Sequence, residues 1–206
     1  MSVWSFDGIV PVVDPSAFVH PDATLIGDVL VGAGVYVGPQ CVLRGDFGRI
    51  VVGVGANVQE TCVVHSFPNG EVEIEEDGHI GHGAVLHGCR IGRNAMVGMN
   101  AVVMDGAEIG KDTIVAALAF VKAGAIIPPR SLVVGSPARV TRELTDEEID
   151  WKGRGTAIYQ RLALEAPQRM APAHPLATPE PDRRRVRASD YDPLMAERMR
   201  AISGRS

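Results

Sequence analysis

Four of the six histidines of this chain fall within 60–88, namely His65, His79, His82 and His87, in a protein otherwise poor in titratable groups along its repeats. Such clustering suggests a metal. Three neutral imidazoles with a fourth position left to water form a catalytic zinc arrangement, and a zinc so held lowers the pKa of water to about 7. Iron or cobalt would suit the same ligands. His82 and His87 are five residues apart, which on a flat-sided coil puts them on different faces or edges. His65 and His87 are 22 apart, so with an intervening excursion to absorb the extra residues they can stack on adjacent coils. A subunit interface, with His82 supplied by the neighbouring chain, would reconcile the three.

Further polar groups interrupt the aliphatic pattern upstream, in Arg44-Gly45-Asp46 and Asn57-Val58-Gln59-Glu60. Arg44 and Asp46 form either an ion pair that fixes an interface or part of the reaction centre. Gln59 and Glu60 are either solvent-facing turn residues or groups that orient a water and move its proton.

The element that must position these side chains is a repeat. Aliphatic residues recur at every sixth position through Ile91, Val97, Val103, Ile109, Val115, Val121, Ile127 and Val133, and in the same period at Leu25, Val31, Val37 and Leu43. The run resumes at Val52, Val58 and Val64 and again at Ile80 and Leu86. A period of six cannot keep one face of an α-helix, whereas it suits a short strand and a turn with one aliphatic side chain pointing inward. Stacked coils of three such units bury that face only against their neighbours, so many repeats are needed. The fold class expected is an all-β solenoid, a parallel β-helix over residues 1–140. The period breaks between Ser66 and Gly78, which reads as an excursion from the coil, either a solvated loop or a rim on a substrate pocket.

After Pro137 the repeat stops, and Thr145-Asp146-Glu147-Glu148 matches a capping box. Within 141–165 a C-terminal α-helix is expected from about Asp146 to Ala163, packing through Ile149, Ile158, Leu162 and Ala163. Residues 166–206, rich in proline and carrying the arginine run 183–187, read as a flexible tail or an arm over a neighbouring subunit. Those arginines could alternatively meet the phosphates of CoA.

The bulk properties set limits. The chain has 206 residues, 46% hydrophobic and 22% charged, with net charge −5, which leaves no basic surface for nucleic acid. Three widely spaced cysteines, Cys41, Cys62 and Cys89, give no disulfide framework and point to the cytoplasm. No apolar run approaches the roughly 20 residues of a membrane span.

Taken together, Arg44-Gly45-Asp46, Asn57-Val58-Gln59, His65 and the stretch from Gly81-His82 to His87-Gly88-Cys89 resemble the γ-class carbonic anhydrases, hexapeptide-repeat proteins of left-handed β-helical fold. Within that family Gly78 to Gly83, Val97 to Gly106 and Trp151-Lys152 are most similar to the branch of phenylacetate-degradation and carnitine-operon proteins. The resemblance implies a homotrimer with zinc between subunits, held by His65 and His87 of one chain and His82 of the next. It implies that Arg44 and Asp46 support the site and that Asn57 and Gln59 orient the water. Glu60 stands where the archetype has aspartate, and Glu71 to Asp77 is shorter than the archetype's acidic loop, which favours another substrate over CO2. The activity implied is zinc-dependent hydrolysis of acyl-CoA thioesters in aromatic (phenylacetate) catabolism. The alternatives are hydration of CO2, acyl transfer from CoA, and a non-catalytic accessory role.

Overall fold

The computed structural model describes residues 1–186 and 191–203; the remainder of the arginine-rich tail, Arg187 included, lies outside them. The chain winds into a parallel β-solenoid of triangular coils, the left-handed β-helix expected, followed by helix α1 (Asp146–Arg169) and helix α2 (Leu194–Ser203). One face stacks Val63–His65, Val85–His87, Val102–Val103 and Phe120–Val121 in parallel register above the start of Val42–Val52. The second stacks Glu71–Ile74, Arg90–Ile91, Glu108–Ile109 and Ile126–Ile127 above the end of that same long strand. The third runs from Phe18–Val19 through Tyr36–Val37, Asn57–Val58, His79–Ile80, Met96–Val97 and Ile114–Val115 to Ser131–Val134. Arg139–Glu143 closes the third face as an antiparallel strand.

The six-residue period is the reason for this architecture. Each residue of the series, from Leu25 to Val133, is buried in one continuous core that runs along the solenoid axis. Ala23, Cys41, Cys62, Ala84 and Ala101 fill one corner of it, where only small side chains fit; the cysteines are free thiols behaving as small apolar groups.

The break in the period is shorter than the sequence suggests. Glu71–Ile74 rejoins the coil, pairing on both sides, with Val72 and Ile74 buried, so only residues 66–70 leave it. The acidic side chains of the segment alternate outward on a strand, and the alternation hides the two inward residues from a six-residue count. A second detour, unexpected from sequence, lies one coil below within Val42–Val52, at Gly45 to Gly48. The two detours stack, Asn69 N–H donating to Phe47 O at 2.9 Å. Gly48 is required there, since a Cβ on it would lie 2.1 Å from Gly70 O.

Helix α1 begins as expected, with Thr145 and Glu148 completing the capping box. It runs past Ala163 to Arg169, and it packs through a different face from the expected stripe. Of Ile149, Ile158, Leu162 and Ala163, only Ala163 is buried, and Leu162 is 37% exposed. The buried face is instead Glu148, Lys152, Gly155, Thr156, Ala163 and Ala166. The physical reason is the surface that α1 meets: the outward residues of the third face include Tyr36, Asn57 and His79, which offer hydrogen bonds and rings rather than an apolar bed. Lys152 Nζ donates to Asp77 O at 2.6 Å and Asn94 Oδ1 at 2.8 Å, and Gln160 Nε2 donates to Asp77 Oδ1 at 2.7 Å and Gly55 O at 3.1 Å.

Residues 170–186 of the tail are exposed, while Tyr191, Asp192 and α2 lie against α1 of their own chain. Trp151 stacks on Tyr191 and its indole N–H donates to Asp192 O at 3.0 Å, while Arg154 pairs with Glu197 of α2. Among the described residues no helix is long and apolar enough to cross a membrane.

Candidate metal centre

Stacking of equivalent positions builds the site. Arg44, His65 and His87 are register partners on three successive coils, at the end of the first face where the chain turns outward. The sequence expectation that His65 and His87 stack is met: His65 Nδ1 lies 3.2 Å from His87 Nε2. Each ring is held from its far side by a carboxylate. His65 Nε2 is 3.1 Å from Asp46 Oδ1, and His87 Nδ1 is 2.5 Å from Asp105 Oδ1. Arg44 Nη1 in turn donates to both oxygens of Asp46, at 2.9 and 2.7 Å.

The electrostatics follow from these contacts. Burial works to raise the Asp46 pKa, but hydrogen bonds from Arg44 and His65 and the guanidinium charge hold it below the ordinary carboxylate value. His65 is held below the ordinary histidine value, first by burial and then by the Arg44 charge, against the pull of Asp46. The carboxylates select the tautomers, because an ionised carboxylate only accepts: His65 carries its proton on Nε2 and His87 on Nδ1. Two nitrogen lone pairs then face each other across 3.2 Å. That arrangement calls for a proton or a cation between them.

A metal fits this demand. Zn–N bonds of about 2.0–2.1 Å at a tetrahedral angle set two ligand nitrogens about 3.3 Å apart. Metal-ligating histidines typically donate their other N–H to a carboxylate, which both rings do here. Among the described residues of one chain, however, no three His, Cys, Asp or Glu side chains gather around a common point.

His82 stands apart from the pair, at the corner between the third and first faces. It occupies the same corner position as Glu60 one coil below, each preceding a residue in the left-handed region, Gly83 and Thr61. Stacking brings His82 Nδ1 to 2.5 Å from Glu60 Oε2, so this imidazole too has a carboxylate on one nitrogen. Asn57 and Gln59 are buried beneath α1, away from the His65–His87 pair. Gln59 Nε2 donates to Asn57 Oδ1 at 3.0 Å and meets His79 Nε2 at 2.7 Å, and His79 Nδ1 lies 3.3 Å from Thr156 Oγ1. Burial, reinforced by the Lys152 charge, pushes the His79 pKa down to about 3, so this histidine is a neutral member of the helix contact.

The structure thus gathers Arg44, Asp46, His65 and His87 at one edge of the first face, Glu60 and His82 at the other, and Asn57 and Gln59 under the helix. The stacked detours flank the first group, Phe47 lying 5.3 Å from the His65 ring and a Cβ on Gly88 meeting the Phe67 ring at 2.5 Å. Sequence reasoning missed Asp105 and Tyr36, whose hydroxyl donates to Glu60 Oε1 at 3.1 Å. Asp105 follows His87 by 18 residues, one more than the offset that pairs Leu86 with Val103, so the contact depends on how these two coils stack and not on the period alone.

Residues 88–123 match the family model described as bacterial transferase hexapeptide (six repeats). The chain is 53% identical to the carnitine operon protein CaiE of Citrobacter koseri, over 92% of this chain and 96% of that protein. A hexapeptide transferase family protein from Anaplasma phagocytophilum superposes with a TM-score of 0.76 at 36% identity, over 79% of this chain and 96% of that one. A point mutant of perosamine N-acetyltransferase from Caulobacter crescentus, solved with CoA and GDP-perosamine, superposes with a TM-score of 0.54 at 28% identity, over 65% of this chain and 58% of that one. The coiled repeat and the near full-length identity together place this chain in the hexapeptide-repeat family that includes the carnitine operon protein CaiE.

Proposed function

We propose that the chain is a zinc-dependent enzyme acting on acyl-CoA thioesters, assembled as a homotrimer in which His65 and His87 of one subunit face His82 of the next. The observation that carries this reading is the His65–His87 pair, its inner nitrogens 3.2 Å apart and its outer nitrogens each on a carboxylate. His82 repeats the pattern at the opposite edge of the same face, where a single chain cannot use it. The first face and that corner also present an apolar strip, with Val63 41%, Met99 52%, Leu118 73% and Phe120 38% exposed, which suits burial against a second copy.

Bound zinc would supply a Lewis acid for the thioester carbonyl and an acidified water. The chain's own residues do the rest. Asp46 and Asp105 hold the two rings in the tautomers that leave Nδ1 of His65 and Nε2 of His87 available. Arg44 keeps Asp46 ionised and in place. Glu60 does for His82 what the aspartates do for its partners. Asn57 and Gln59, tied to His79, set the backbone next to Glu60. Hydrolysis of an aromatic acyl-CoA is the favoured reaction.

Acyl transfer is a second reading, and the comparisons support it more than they support hydrolysis, since the family model is described as a transferase and a solved relative binds CoA as an N-acetyltransferase. The test is CoA release by zinc-loaded protein from phenylacetyl-type, carnitine-derived and simple aliphatic acyl-CoAs, with and without amine or hydroxyl acceptors. A chelated sample and the His82→Ala variant serve as controls. Zinc-dependent release without acceptor supports hydrolysis, and release that requires an acceptor and survives chelation refutes it. Silence with thioesters but turnover of CO2 would make the chain a carbonic anhydrase, and silence in both would leave an accessory role.

A further inference from the structure

Tyr36 is buried on the third face, its ring stacked on Phe18 at 5.6 Å between centroids and set against Tyr159 of α1 at 5.4 Å. Packing of that kind would be served as well by phenylalanine. The hydroxyl does something more, since it donates to Glu60 Oε1 at 3.1 Å while Oε2 of the same carboxylate meets His82 Nδ1 at 2.5 Å. The coil below leaves room for Glu60 to take this position. A Cβ on Gly38, one coil below, would lie 2.8 Å from Glu60 N, 3.1 Å from Gln59 C and 3.1 Å from Glu60 Oε1, so glycine there lets the corner that carries Glu60 sit close above it, and a side chain would push both the backbone and the carboxylate away from Tyr36. Glu60 and His82 are half-buried, and without these restraints a glutamate at a corner would have several rotamers open to it.

We infer that Tyr36 is a positioning residue, which through Glu60 holds His82 in the Nδ1–H tautomer with Nε2 directed away from its own coil. The physical reason is that the hydrogen bond made by one ring nitrogen decides which nitrogen keeps the proton. Left to solvent, the imidazole would exchange between tautomers and rotamers. The Tyr159 contact makes the same device a link between the docking of α1 and the corner that carries His82. This inference rests on the reading of His82 as a metal ligand only for its consequence, not for the tautomer itself.

The test uses the full chain and the variants Tyr36→Phe, Gly38→Ala, Glu60→Gln and His82→Ala. The 15N shifts of the His82 ring, read in metal-free protein at fixed pH, report the tautomer, and competition with a chromophoric chelator reports zinc affinity. The expected result is a His82 ring fixed as Nδ1–H in the parent and mixed in Tyr36→Phe and Gly38→Ala, each folded by circular dichroism. Zinc affinity should fall by about 10- to 100-fold in Glu60→Gln, the usual cost of losing a carboxylate behind a ligand, and by less in Tyr36→Phe. A parent-like His82 tautomer in Tyr36→Phe would overturn the inference, as would a parent-like tautomer in Gly38→Ala if Tyr36→Phe fails to fold. A parent protein that binds no zinc, or a His82→Ala variant that binds it as tightly, would sink the metal reading instead, and the ring shifts would still judge Tyr36.

Discussion

Lys152 is 3% exposed, and its Nζ has two acceptors, Asp77 O at 2.6 Å and Asn94 Oδ1 at 2.8 Å. Two acceptors match the two hydrogens of a neutral amine. Burial pushes its pKa down to about 7, against the upward pull of the Asp77 and Asp112 carboxylates. In the unfolded chain a lysine titrates near ~10.4. Between these values the native state binds fewer protons than the unfolded state, so stability must rise with pH; the contribution is complete above the unfolded value and lost as pH falls toward 7. One proton is worth at most about 1.4 kcal/mol per pH unit. With the group half-protonated at the start of the interval, the gain from pH 7 to pH 9 is about 2 kcal/mol. Chemical unfolding at fixed protein concentration should therefore show the parent gaining on Lys152→Met by that amount. Groups other than Lys152 that titrate between these pH values are common to both proteins and cancel in the difference. A parent–variant difference that stays constant from pH 7 to 9 would refute the reasoning and mean that Nζ stays protonated beneath the helix.

Three other outcomes follow from the same structure. Leu86→Ala, at a fully buried position of the solenoid core, should cost about 2–5 kcal/mol, read from the denaturation midpoint; a loss below about 1 kcal/mol would mean that the coils collapse around the cavity. Asp105→Asn replaces the carboxylate that fixes His87 and should weaken zinc binding by about 10- to 100-fold with the circular dichroism spectrum unchanged, whereas parent-like affinity would show that the contact does not orient the ring. Ending the chain after Met170 removes Tyr191 with its stacking on Trp151, the indole hydrogen bond to Asp192, and α2, whose exposed ion pairs to α1, such as Arg154–Glu197 and Arg198–Glu147, contribute little; the solenoid core keeps all of its contacts. Its melting temperature should stay close to the parent's, and loss of folded protein would show that α2 is integral to the solenoid.

Much of the candidate site could be read from spacing. The interval of 22 residues that separates His65 from His87 also separates Glu60 from His82, so the same two coils carry both stacked pairs. The five-residue step from His82 to His87 correctly put those two at different edges. The roles of Asn57 and Gln59 could not be read so directly, because their surroundings depend on α1, whose docking face was not apparent. A helix with Ile149, Ile158 and Leu162 advertises an apolar stripe, yet the bed it meets is lined by Tyr36, Asn57 and His79, and Lys152, Thr156 and Gln160 satisfy it better.

The sequence by itself determined the solenoid, because the inward position of each hexapeptide sees only its own series and an aliphatic residue there is sufficient. Only the tertiary structure decided what each outward side chain meets. An outward residue is paired with the coils above and below, and the offset between coils varies with the detours: Leu25 lies beside Leu43, Leu43 beside Val64, Val64 beside Leu86 and Leu86 beside Val103. The Asp105 carboxylate at His87, the Tyr36 hydroxyl at Glu60 and the lysine under α1 are products of that variable stacking. Hydrogen bonds act over a few ångströms and need the partner in place, whereas burial of an aliphatic side chain asks only that it face inward.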